Sequence, residues 1–157
     1  MIGRILQTLF GLNAHVMSTN LDGITHEESL IQPREDGNCI NWILGHIIAN
    51  RNPVLRAVGA EPVWTDEEAT SYQRGSLPLS EDSLVHPLQK LINDFSRSQQ
   101  QLQSSLETID DDKLANERYP DGRSPGDILI TLAFHESYHA GQIGLLRRIL
   151  GKPGAIQ

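Results

Sequence analysis

The sequence predicts an all-α fold, a four-helix bundle with long crossover connections, on three observations. Four segments carry apolar residues at helical spacing, and none alternates convincingly like a strand. Their ends carry helix start and stop residues. The links at 22–39 and 59–80 are long, polar and rich in Gly, Pro, Asp, Glu and Ser, which permits crossovers between helices that are not simple antiparallel neighbours.

The first segment runs from about Ile2 to Leu21, with Ile2, Ile5, Leu6, Leu9, Leu12, Val16 and Met17 forming one stripe. The second, "INWILGHIIANRNPVLRAVG", runs from about Ile40 to Val58 and is closed by Gly59. Pro53 lies inside it, so a kink or short break is expected there. The third starts somewhere in residues 81–87 and ends near Ile109, on Leu84, Leu88, Leu91, Phe95, Leu102 and Leu106. Ser80 is one candidate cap for it, but Pro87 fits better in a first turn. The fourth has the clearest ends. Ser124 is a natural N-cap, Pro125 suits the first helical position and Asp127 adds negative charge to the first turn. Arg147 and Arg148 favour the C-terminal dipole, Gly151 can take a left-handed cap, and Pro153 prevents continuation. The link 110–123 is acidic at first and turn-like at "YPDG".

Composition narrows the function classes. At 157 residues, 38% of them hydrophobic and 21% charged, the chain is expected to be one soluble domain with a real core. A net charge of −7 and a pI near 5.3 argue against a broad nucleic-acid footprint. The single Cys39 cannot form an internal disulfide. No apolar run approaches the ~18 residues of a membrane helix, and the first residues are spaced like a helix face rather than a signal peptide. A cytoplasmic protein is expected, with neither nucleic acid nor membrane as a partner.

The stretch "FHESYHAGQIGLLRRILG" contains H-E-x-x-H, the string of zinc metalloproteases. On a helical wheel Ile128, Leu132, Ile143, Leu146 and Leu150 define the buried face, with His135 and His139 near its centre and Glu136 toward its edge. Two imidazoles one turn apart in an apolar stripe need partners, and neutral imidazole is the commonest metal ligand. Ordinary hydrogen bonding of each ring within the core is the alternative; the paired spacing favours an ion. The protease reading lacks its third ligand. No acidic residue follows Glu136, and Gln142 and Leu145 occupy the places of the Gly and third His of the longer metzincin pattern.

A third ligand must therefore lie upstream. His15 falls away from the first stripe, His26 sits in a polar link and His86 precedes Pro87; none reads as a ligand. His46 lies inside "NWILGHII", one turn after Trp42, on the flank of an apolar helix. It reads equally well as a ligand or as a bare core histidine.

"GNCINWILGHI" and "HESYHAGQI" together resemble the DinB/YfiT-like metal-binding four-helix bundles, and the likeness covers essentially the whole chain. In that family one His of the second helix and an H-x-x-x-H pair of the last hold a divalent metal, often followed by Gly-Gln. The matching positions here are His46, His135 and His139, followed by Gly141 and Gln142. The resemblance implies an up-down-down-up bundle, a three-histidine site with coordination positions left to water, and a homodimer. Some relatives are S-transferases or isomerases that use low-molecular-weight thiols, and others are grouped as metal-dependent hydrolases.

Three neutral nitrogens leave a divalent ion its full charge and an exchangeable position, as in catalytic zinc sites. The expectation is a metal-dependent enzyme of thiol S-transferase or hydrolase type acting on a small molecule. A non-catalytic metal-binding or small-molecule-binding bundle is the alternative, and a zinc metalloprotease a remote one. Zinc is the first choice of ion, with nickel or iron as alternatives. Asn50, Glu136 and Gln142 are the polar groups placed to orient imidazoles or substrate, Asn50 the best of them. Trp42 is expected to pack the core.

Overall fold

The computed structural model describes residues 1–34, 37–80 and 83–154. In chain order it contains α1 (Ile2–Leu21), α2 (His26–Ser29), α3 (Ile40–Ala57), α4 (Asp66–Ala69), a 3-10 turn (Thr70–Tyr72), α5 (Leu88–Thr108), α6 (Asp111–Asn116) and α7 (Pro125–Ile149). No strand occurs among the described residues. The four long helices form the bundle. Each touches two neighbours: α1 packs on α5 and α7, and α3 packs on the same two.

Pairings along the helices set their directions. Gln7 bonds the Gln103 carbonyl and Gly3 lies against Leu106, so α1 and α5 run oppositely. Asn13 donates to the Ala133 carbonyl while Asn20 lies against Gly144, so α1 and α7 run the same way. The order is up-down-down-up, with α3 and α5 parallel.

Local chemistry explains the ends. Ser124 accepts the Asp127 N–H, and the Asp127 carboxylate accepts the Ser124 N–H, closing a capping box behind Pro125. Gly151 takes φ 78°, the left-handed conformation expected of it. The links carry more structure than their composition suggested. Thr25–Glu28 and Thr65–Glu68 are capping boxes that start α2 and α4.

Several expectations about faces and ends are corrected. On α1 the buried side chains are Leu6, Phe10, Asn13, Met17, Asn20 and Leu21, whereas Ile5, Leu9 and Leu12 are exposed. Asn13 and Asn20 face inward because Asn13 bonds the Ala133 carbonyl and Ser137, and that rotates the stripe. α3 runs through Pro53 without a break. α5 begins at Leu88, with Pro87 at its cap rather than in its first turn, and Leu84 lies outside it and half exposed. Of the expected start region, residues 81 and 82 lie outside the described residues.

The core has two apolar halves. One gathers Met17, Ile40, Ile43, Ile47, Leu91 and Ile143; the other gathers Leu6, Phe10, Leu55, Leu102, Leu129 and Ala133. Full burial of each such Leu, Ile, Phe or Met side chain is worth roughly 1.5–3 kcal/mol. Arg51 is 1% exposed and lies in contact with both halves, its guanidinium 4.1 Å from the Phe95 ring centroid and 6.0 Å from that of Phe10. The described parts of the connection that follows α3, residues 59–80 and 83–87, lie back along it and are pinned to it. Asn52 donates to the Trp64 carbonyl, Tyr72 donates to Asn41, and Asn41 donates to the His86 carbonyl. Tyr72 comes so close that a Cβ on Gly45 would fall 2.2 Å from its ring. Only glycine fits there.

Candidate metal centre

α3 and α7 run antiparallel, and their facing flanks bring His46, His135 and His139 together. The Nε2 atoms of His46 and His135 are 3.1 Å apart, as are those of His135 and His139. Ligands at ~2.05 Å around a tetrahedral ion are separated by about 3.3 Å, so this spacing matches three nitrogens sharing one cation. His46 and His139 are buried and His135 is half-buried.

The other ring nitrogens fix the tautomers. His46 Nδ1 lies 2.7 Å from the Tyr72 carbonyl oxygen, which can only accept, so Nδ1 carries the proton and Nε2 presents its lone pair. His139 Nδ1 donates to Gln142 Oε1 at 2.6 Å, with the same consequence. His135 Nδ1 is buried without a hydrogen-bond partner. Trp42 stacks on His46 at 4.6 Å and 12° between planes, and donates to Ser76 Oγ. Those contacts leave little freedom to the His46 ring.

Electrostatics favours the neutral, ligating form. Burial, with the neighbouring imidazoles adding to it, pushes His135 down to about 4. Burial also lowers His46 and His139, against the opposing bonds to Tyr72 and Gln142. All three rings are therefore uncharged at neutral pH. The donor set suits a divalent cation, and such an ion would be held by His46, His135 and His139.

The polar residues near the triad divide. Gln142 orients His139, as above. Asn50 donates to the His46 carbonyl at 2.8 Å and places Nδ2 3.2 Å from His46 Nε2, at the edge of the triad. Glu136 does neither. It lies at the centre of the buried face, not its edge, with 1% exposure, and accepts from Arg51 Nε at 2.6 Å and Nη2 at 2.9 Å. The histidines correspondingly occupy the α3-facing flank of α7 rather than its centre, while Ile128 and Leu132 are only half-buried. Arg51 donates also to Ser98 and Gln99, so the ion pair has its hydrogen bonds satisfied.

Two of the remaining three histidines have structural partners. His26 Nδ1 accepts the Leu88 N–H at the start of α5. His86 is buried, stacks on Tyr72 and bonds the Glu68 carbonyl; His15 is exposed. Sequence reasoning missed Arg51, Tyr72 and Gly45. An arginine amid the apolar residues of α3 was the available signal for the first. The approach of Tyr72 to Gly45 has no local signature.

A family model for the DinB superfamily matches residues 10–143. Among solved structures, the chain is similar to one described as the conserved protein of locus from Enterococcus faecalis, with a TM-score of 0.70 and 16% identity over 95% of this chain and 97% of that one. At that identity the likeness speaks to the fold alone. No curated protein matches the chain.

Proposed function

The chain belongs to the DinB superfamily, and from that premise we propose that it is a metal-dependent enzyme acting on a small molecule, of thiol S-transferase or hydrolase type. The observation that carries this reading is the convergence of three neutral Nε2 atoms, two of them with tautomers set by Tyr72 and Gln142. A divalent cation bound there, zinc first and nickel or iron next, would supply Lewis acidity that makes a coordinated water or thiol more acidic. This chain's own residues hold the ring planes through Trp42 and Tyr72 and place the Asn50 amide at the edge of the triad.

The arrangement opposes the metalloprotease reading. That chemistry needs the glutamate of H-E-x-x-H as a general base at the ion. Glu136 is buried in a bidentate pair with Arg51 instead. The non-catalytic alternative, a metal-stabilised binding bundle, draws support from the small size of the cleft beside Asn50, about 230 Å³. Elemental analysis of the purified protein, alongside a transfer assay with low-molecular-weight thiols and an ester hydrolysis assay, separates these readings. Metal without either activity would leave only the binding bundle.

A homodimer belongs to the same proposal. Ile5, Leu9 and Leu12 on α1 and Ile130, Phe134 and Leu145 on α7 are 39–72% exposed. They sit on the outer sides of two adjacent parallel helices. Six such side chains expose on the order of 700 Å² of apolar surface, near the ~800 Å² that each partner contributes to a stable interface. A second copy of the chain, presenting the same face about a twofold axis, would cover it. No helix among the described residues is long and apolar enough to cross a membrane.

A further inference from the structure

The cleft beside the triad has a chemistry that the metal reading does not use. It encloses about 230 Å³ and includes Asn50 and Arg56 from α3, Asp66 from α4, and Gln73 and Arg74 from the segment after the 3-10 turn. It adjoins the histidines at two points. Asn50 Nδ2 is 3.2 Å from His46 Nε2, and Gln73 directly follows Tyr72, whose carbonyl accepts from His46 Nδ1. Arg56 lies ten residues beyond His46 on α3, or about 15 Å along the axis at 1.5 Å per residue.

Two guanidiniums line this small space. Among the described residues neither the Arg56 nor the Arg74 side chain has a hydrogen bond or ion pair, although those of Arg51, Arg97, Arg123 and Arg147 are all engaged. Asp66 offsets one charge, so the cleft still carries a net positive charge in a chain of net −7. The planar fork of a guanidinium matches the paired oxygens of a carboxylate or phosphate. A cleft of this volume is smaller than a whole-ligand pocket of ~300–1,000 Å³, so it suits one end of a substrate.

We propose that this cleft is an anion subsite: Arg56 and Arg74 hold a carboxylate or phosphate group of the substrate, and Asn50 marks the path from there to the histidines. The proposal rests on the triad being the reacting centre. The substrate class is then an acid whose anionic group lies up to about 15 Å from its reacting atom, given the rise along α3.

The test uses zinc-loaded protein, with succinate and inorganic phosphate as probes titrated calorimetrically at constant ionic strength. Wild type should bind at least one probe, and R56Q/R74Q should bind it at least tenfold more weakly, with zinc content unchanged on the same samples. Tighter succinate assigns a carboxylate; tighter phosphate assigns a phosphate. Binding of neither probe, or equal binding by the double variant, would overturn the subsite. Zinc absent from wild type would instead remove the metal reading, and the probe comparison would still decide the subsite.

Discussion

Arg51 and Glu136 meet in a bidentate pair in the middle of the bundle, Nε to Oε1 at 2.6 Å and Nη2 to Oε2 at 2.9 Å, with both side chains sealed from solvent. The pair ties α3 to α7 next to His135. It takes the glutamate of an H-E-x-x-H string out of the chemistry and makes it a core residue. Removing one partner leaves an uncompensated buried charge. Glu136→Ala should therefore lower unfolding stability by about 3–5 kcal/mol in urea titrations. The double variant R51M/E136L should recover most of that loss. A loss below about 1 kcal/mol in E136A would contradict the role assigned to the pair.

Gln142 acts on the site through His139. Its Oε1 accepts from Nδ1 and so keeps Nε2 unprotonated. Losing such an orienting group typically costs 10–100-fold in metal affinity. Q142A should show that loss in competition with a chromophoric chelator, and Q142E should retain most of the affinity. Equal affinity in Q142A would show that the contact does not matter.

Asp94 gives the fold an acid limit. Burial raises the pKa of its carboxyl, but hydrogen bonds from Lys90 and Trp64 and the charges of Lys90 and Arg97 outweigh this and hold it below the usual 3.8. The unfolded chain therefore takes up the proton first as pH falls. The stabilisation is present above pH ~4 and is lost as pH drops through the folded value. D94N should flatten the slope of stability against pH below about 4 and lower stability at neutral pH. A wild-type slope unchanged in D94N would refute the assignment.

The exposed face of α1 and α7 makes its own prediction. Light scattering at micromolar concentration should find wild type dimeric, and L12E/L145E should be monomeric with an unchanged helical spectrum. A monomeric wild type, or a dimer that survives both charges, would remove the proposed interface.

The helices were legible because their ends carry local chemistry, as at Ser124, Asp127 and Gly151. Their faces were less so. Ile5, Leu9 and Leu12 read as core by periodicity yet face outward, because Asn13 turns α1 toward α7 through bonds that hydrophobic spacing cannot register. Glu136 was misplaced for the same reason, since its partner Arg51 is 85 residues away. The histidine pair was visible in the sequence as i, i+4 spacing. What brings His46 to it, the antiparallel packing of α3 on α7 with Tyr72 seated against Gly45, depends on contacts distant in the chain.

The most direct test of the central claim is the zinc stoichiometry of wild type, H46A, H135A and H139A, measured by equilibrium dialysis with helical content checked in parallel. One ion per wild-type chain is predicted, with occupancy lost in each folded variant. Undiminished occupancy in H46A, or no bound ion in wild type, would contradict a centre shared between α3 and α7.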